Sequence, residues 1–206
     1  METEYKDLID FHKLKECIIS KRTTSKYVAE DTGMDKRRIS QFINGFTIPM
    51  SDNVAKVCWA LKVPVSELVD FKGIKLNPYF DTMPYVYDVP KDAVGEVTYK
   101  PLWNFLKIYL KDHEGKTAND LFDKIEPYRR RIGLTNLTRA REASCKARGI
   151  DENFVARVKR QKDYYKTGLT EETRTKLHND RPLSMRTIYD ICKFLGCSVD
   201  FVMSYK

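Results

Sequence analysis

Residues Thr24–Gly45 read TSKYVAEDTGMDKRRISQFING, and their pattern decides the fold. Thr24 is an N-cap type residue at the start of an amphipathic run. Val28 and Ala29 supply the inward face of a first short helix. Gly33 stands where the chain must turn sharply, because glycine adopts φ > 0 without a Cβ clash. Asp35 is placed to cap a second helix. That helix buries Ile39 and Phe42 and leaves Lys36, Arg37, Ser40, Gln41 and Asn44 away from the core. A small alanine before the turn lets the two helices cross closely. Cationic and amide side chains on an outer helix face can donate to base edges and phosphates.

Through Thr24, Val28, Ala29, Gly33, Ile39, Asn44 and Gly45 the segment resembles the helix-turn-helix of the Xre/lambda-repressor-like (Cro-type) family of DNA-binding regulators. The resemblance implies five short helices around one core, with the helix Asp35–Asn44 docked in a DNA major groove. Family positions that read bases fall on Lys36, Arg37 and Gln41. Thr24, Ser25, Arg38, Ser40 and Asn44 complete the set of DNA-contact candidates. The family usually carries glutamine where this chain has Ser25, which weakens a contact from the first helix of the motif. Dimers on inverted half-sites about one helical turn, ~34 Å, apart are common in such proteins.

The resemblance covers residues 1–71 as an N-terminal domain. Leu8, Phe11, Leu14 and Ile18 recur at helical spacing and predict helix 1. Pro49 and Ser51 are expected to close a loop and cap a fourth helix, where Val54, Val57, Cys58 and Leu61 form an apolar stripe. Pro64 followed by Val65, Leu68 and Val69 predicts a fifth. Trp59 and Phe71 suit the core or a dimer contact. Residues 72–100 differ in character: Pro78, Pro84 and Pro90 exclude a long helix, and Tyr79, Phe80, Tyr85, Tyr87 and Tyr99 argue against a free disordered linker. A partly extended, packed arm is expected there.

The last third repeats the first. SMRTIYDICKFLGCSVDFVM matches MSDNVAKVCWALKVPVSELV at a fixed offset of 134 residues. Ile188, Ile191, Cys192 and Leu195 stand on Val54, Val57, Cys58 and Leu61; Val199 and Val202 stand on Val65 and Leu68. TGLTEETRTKLHND resembles TGMDKRRISQFING. A second, divergent helix-turn-helix domain is therefore expected within 101–206, with a basic insertion at about 127–167. Two placements of its front half are open. VTYKPLWNFLKIYL and GKTANDLFDKI form its first two helices, or Arg139–Arg148 and Asp151–Lys166 do. Glu171 and Glu172 replace Lys36 and Arg37, and Arg174 replaces the buried Ile39. Two carboxylates at a groove repel phosphates, so this copy is expected to have lost base reading.

Charge is uneven. Residues 1–71 balance eleven basic against eleven acidic residues, residues 72–126 carry eight against nine, and residues 127–206 carry eighteen against nine. Between Arg129 and Lys166 twelve basic residues face four acidic ones. Arg129, Arg130, Arg131, Arg139, Arg141, Arg157, Lys159, Arg160 and Lys162 are the candidates for phosphate or polyanion contact, which would give salt-dependent affinity without sequence choice.

Several classes are disfavoured. No apolar run reaches about 18 residues, so no membrane span is expected, and the acidic start METEYKDLIDF does not read as a secretory signal. Cys17, Cys58, Cys145, Cys192 and Cys197 contain no C-x-x-C pair, which argues against a disulfide scaffold or zinc site; buried thiols and a cytoplasmic location follow. His12, His113 and His178 form no metal-ligand cluster, there is no Gly-rich phosphate loop, and no cofactor is expected. His178, Arg181, Tyr189 and Tyr205 faintly resemble tyrosine recombinases, in a chain too short for that catalytic domain. The expectation is a mainly α, non-enzymatic protein: two lambda-repressor-like bundles joined by a Pro/Tyr-rich extended linker, the second with an insertion. Its partner is double-stranded DNA, with homodimerisation as a further expectation. The function is a transcriptional regulator, a repressor of the kind carried by phages and mobile elements. The alternative is an inhibitor or antitoxin whose C-terminal region grips an acidic or nucleic-acid-binding protein while the N-terminal motif autoregulates its promoter.

Overall fold

Among the described residues one order of elements runs twice. The computed structural model describes residues 5–81, 87–112, 116–125 and 168–206. The first pass is α1 (Tyr5–Leu8), β1 (Ile9–Asp10), α2 (His12–Ser20), α3 (Ser25–Thr32), α4 (Lys36–Ile43), α5 (Ser51–Leu61), the 3-10 turn η1 (Val65–Glu67) and β2 (Asp70–Phe71). After the 3-10 turn η2 (Pro78–Asp81) come β3 (Val97–Thr98), α6 (Lys100–Lys111), α7 (Ala118–Phe122), α8 (Glu171–His178), α9 (Met185–Leu195), the turn η3 (Val199–Phe201) and β4 (Ser204–Tyr205). The chain divides into two compact units, Met1–Lys116 with Thr170–Lys206, and Thr117–Leu169.

In the larger unit β1 pairs antiparallel with β2, setting Ile9 opposite Phe71, and β3 pairs antiparallel with β4, setting Val97 opposite Tyr205. Phe71 and Tyr205 are equivalent at the repeat offset of 134. Likewise α2 packs on η1 and α6 packs on η3. The helix opened by Lys100–Pro101 thus packs on the 3-10 turn of its copy as α2 does on η1. The second placement lies outside the described residues. Leu14, Ile39, Val54, Val57, Cys58 and Leu61 are buried in the first copy, and Leu102, Phe105, Leu177, Ile188, Ile191 and Cys192 in the second. Each large apolar side chain so buried contributes about 1.5–3 kcal/mol before conformational entropy is counted.

Four local expectations are corrected. The run Leu8–Ile18 is not one helix. Ile9 and Asp10 are extended to pair with β2, and the Asp10 carboxylate accepts the His12 N–H at 2.9 Å to start α2 afresh. Ser51 is not a cap. Met50 holds that position without a side-chain bond, and Ser51 is fully buried as the first residue of α5. The fifth helix is only η1, because β2 takes up the chain from Asp70 to complete the ladder with β1. Leu195 is also only half-buried, unlike its equivalent Leu61.

Within 72–100, Phe80, Tyr87 and Tyr99 are buried. Tyr87 donates to the Tyr205 carbonyl at 3.3 Å, and the Trp59 indole N–H donates to the Ala93 carbonyl at 2.6 Å. Trp59 and Phe71 are both half-buried, the latter edge-on to Tyr189.

The smaller unit opens with α7, held by a capping box in which Thr117 and Asp120 bond each other's backbone N–H. Leu121, Phe122 and Ile125 are buried. The Leu169 N–H donates to the Phe122 carbonyl at 2.9 Å. In the first copy the Met34 N–H donates to the Ala29 carbonyl, also at 2.9 Å. Thr24 and Thr117 cap the preceding helices, and Gly33 and Gly168 precede the bonded N–H in left-handed geometry. Residues 123–168 therefore stand in the chain where 30–33 stand in the first motif.

Candidate nucleic-acid interface

The first motif is built from local rules. Thr24 Oγ1 accepts the Tyr27 N–H at 3.3 Å to start α3. The chain leaves α3 through Gly33 at φ +64. Asp35 Oδ1 accepts the Arg37 N–H at 2.6 Å and starts α4. Ile39 and Phe42 anchor α4 in the core, which fixes the rotation of the helix. Lys36, Arg37, Arg38, Ser40 and Asn44 consequently face solvent, and Gln41 is half-buried. Thr24 is exposed and Ser25 half-buried. The structure thus brings the predicted outer set onto one short helix and its flanks.

Two of those residues have local work. Thr24 spends its hydroxyl as the cap of α3. Asn44 Nδ2 donates to the Ser40 carbonyl at 2.9 Å and lies 3.3 Å from Ser40 Oγ. In the second copy Asn179 Nδ2 donates to the Thr175 carbonyl at the same distance. An amide that satisfies the last turn in both copies is a helix terminator first.

The charges on the two equivalent helices are ordered oppositely. Lys36, Arg37 and Arg38 crowd the first turn of α4, at the positive end of the helix dipole, and the last turn carries no basic residue. Each such cation costs about 0.3–1 kcal/mol at an exposed helix start. Among the described residues no ion pair engages any of the three. On α8 the arrangement is the favourable one: Glu171 and Glu172 in the first turn, Lys176 and His178 in the last. Glu172 and Lys176 pair at 2.6 Å, and that hydrogen bond holds the Glu172 carboxyl below its ordinary pKa. The charges of α8 serve the helix, and those of α4 oppose it.

Arg174, which stands on the buried Ile39, is half-buried. The anchoring of α8 moves to Leu177, fully buried, and to Trp103, whose indole stacks on His178 at 4.2 Å and donates to the Leu177 carbonyl at 3.4 Å. Tyr189 and Tyr205 are buried, and Tyr189 donates to the Lys72 carbonyl at 3.1 Å, so they present no open site with His178 and Arg181. Cys17, Cys58, Cys192 and Cys197 are buried free thiols; burial pushes the Cys58 and Cys192 thiols far up. Among the described residues no group of three His, Cys, Asp or Glu could hold a metal ion, and no helix is long and apolar enough to cross a membrane. The candidates Arg129, Arg130, Arg131, Arg139, Arg141, Arg157, Lys159, Arg160 and Lys162 lie outside the described residues.

Sequence reasoning missed the buried polar cluster between the copies. Ser51 Oγ lies 2.8 Å from the Tyr99 hydroxyl and accepts the Leu183 N–H at 2.9 Å, while the Ser51 N–H donates to the Leu183 carbonyl at 2.8 Å. Its one sequence signal was a serine in the α5 repeat where the second copy has Met185.

The model of the Cro/C1-type helix-turn-helix DNA-binding domain matches residues 13–73 and again 142–206. The second match starts at residue 142, outside the described residues, whereas β3 and α6 pair and pack as β1 and α2 do, so sequence likeness and spatial equivalence diverge in the front half of that copy. No curated protein and no solved structure matches the chain. With two matched regions that together span more than half its length, and with the capped, glycine-turned α3–α4 pair in place, the chain belongs to the Cro/C1-type helix-turn-helix DNA-binding family.

Proposed function

We propose that the chain is a sequence-specific transcriptional regulator, acting as a repressor, that reads double-stranded DNA with α4. The observation that carries this reading is the cluster of Lys36, Arg37 and Arg38 at the start of α4, unpaired among the described residues and opposed to the helix dipole. A feature that costs the free protein stability is understood if an anionic partner offsets it. Lys36, Arg37 and Gln41 are the base-reading residues, with Ser25, Arg38 and Ser40 on the flanking phosphates. Thr24 and Asn44 act mainly by fixing the ends of their helices. The basic residues between Arg129 and Lys162 supply sequence-independent phosphate affinity. The buried free thiols suit a reducing, cytoplasmic setting.

The helix-favouring charges of α8 support a second reading, in which the second copy and its insertion grip an acidic or nucleic-acid-binding protein, as an inhibitor or antitoxin does, while α4 autoregulates the promoter.

Residues on both sides of Asn77 share one compact unit, so the test uses the full chain. Selection from a randomised duplex pool should enrich one motif. Lys36→Ala and Gln41→Ala should each reduce discrimination between that motif and a scrambled duplex by about 1–3 kcal/mol. A chain that enriches no motif, or variants that discriminate as well as the parent, would remove α4 as the reader.

A further inference from the structure

The contacts between the two copies in the larger unit follow a two-fold rule. Met50 bridges antiparallel to Ser184, and these are equivalent positions of the repeat. The Ser66 N–H donates to Asp200 Oδ1, and these too are equivalent, as are η1 and η3, which pack together. Away from these self-pairs the contacts are reciprocal. The helix α5 of the first copy packs on β3 and β4 of the second, and α9 of the second packs on β1 of the first. Equivalent residues meeting on an axis, with swapped contacts on either side, are the signature of an isologous interface. Such an interface ordinarily joins two chains. Here one chain supplies both sides.

The junction is also used up. Ser51, Ala55, Tyr189, Asp190 and Tyr205 are all buried, so no second copy can reach that surface. Its polar groups are matched across the axis: Tyr5 donates to Asp190 Oδ2 at 2.7 Å, and Tyr189 to the Lys72 carbonyl. Of the two equivalent recognition positions, α4 offers three cations and α8 two glutamates.

We infer that the chain is a single-chain pseudo-dimer that binds duplex DNA as a monomer, and that its target is an asymmetric site with one specifically read half. This rests on α4 being the DNA reader. The internal partner removes the need for a homodimer, and the unlike charges of α4 and α8 remove the reason for an inverted repeat. Binding is then first order in protein.

The test takes the full chain, sediments it alone at micromolar concentration, and titrates it onto duplexes selected from a randomised pool, with stoichiometry read by native mass spectrometry. The expected result is a monomer in the free state, one chain per duplex, a Hill slope of one and an enriched motif without two-fold symmetry. Two chains per duplex, or an enriched inverted repeat, would overturn the pseudo-dimer while leaving α4 as reader. Failure to enrich any motif would overturn both, and is told apart by the absence of selectivity at every protein concentration.

Discussion

The Ser66 N–H donates to Asp200 Oδ1 at 3.0 Å, and these two residues hold the same position in the two copies of the repeat. The bond crosses the pseudo-two-fold axis with a serine on one side and an aspartate on the other. Burial raises the Asp200 carboxyl above its ordinary pKa, although the hydrogen bonds from Ser66 and Val65 pull it down. A carboxyl that binds its proton more tightly when folded loses stability as pH rises from about 4 through its raised value. Asp200→Asn retains an oxygen acceptor for Ser66 and removes the charge. Thermal melts should show the variant at least as stable as the parent at pH 7, with the difference disappearing below about pH 4.

Asp10 behaves in the opposite sense. Burial alone would raise its carboxyl, but hydrogen bonds from Lys72 and from the His12 backbone outweigh it and lower the pKa to about 2. Its contribution is complete above the ordinary value of about 3.9 and is lost as pH falls towards about 2. Asp10→Asn should therefore flatten the acid limb of the stability curve, measured by denaturant titration at a series of pH values.

Ser51 and Tyr99 share one buried polar cluster, in which the Tyr99 hydroxyl also donates to the Arg181 carbonyl at 3.2 Å. Ser51→Ala strands the Leu183 N–H and should cost about 1–3 kcal/mol. Tyr99→Phe leaves the bond from Leu183 to Ser51 intact and should cost less. Because the two side chains touch, their effects should fall short of additivity in a double-mutant cycle.

Gly33 and Gly168 occupy matching turns with different surroundings. A Cβ on Gly33 meets nothing within 4 Å, so Gly33→Ala carries only the left-handed penalty of about 1–2 kcal/mol. A Cβ on Gly168 would lie 2.7 Å from Asp123 Cα and 2.8 Å from the Phe122 carbonyl oxygen, both backbone. Gly168→Ala should destabilise the chain more than Gly33→Ala in parallel melts.

Reversing the charges of α8 separates helix stability from DNA affinity. Glu171→Lys with Glu172→Lys breaks the pair with Lys176 and opposes the dipole, so the variant should melt lower. The same variant should bind scrambled duplex more tightly, with a steeper salt dependence. A filter-binding series across salt concentrations checks the second part.

Local chemistry was legible in the sequence: the Thr24 and Asp35 caps, the Gly33 turn and the buried Ile39 and Phe42 all follow from residue type and spacing. So did the repeat, because apolar positions such as Cys58 and Cys192 keep their spacing. What escaped was set by partners distant in sequence. Ser51 reads as a cap until Tyr99 and Leu183 surround it, and Leu8–Ile18 reads as one helix until Phe71 claims Ile9 as a strand neighbour. The two-fold axis was equally hidden, since a repeat says that two units are alike and not that they pair.

Base reading by α4 is measured by the base preference at every position of the selected site, for the parent chain and for Gln41→Ala. In the variant one or two adjacent base pairs should lose their preference, by about 1–3 kcal/mol, while the remaining positions keep theirs. A uniform loss at all positions, or an unchanged profile, would show that α4 does not read bases through Gln41.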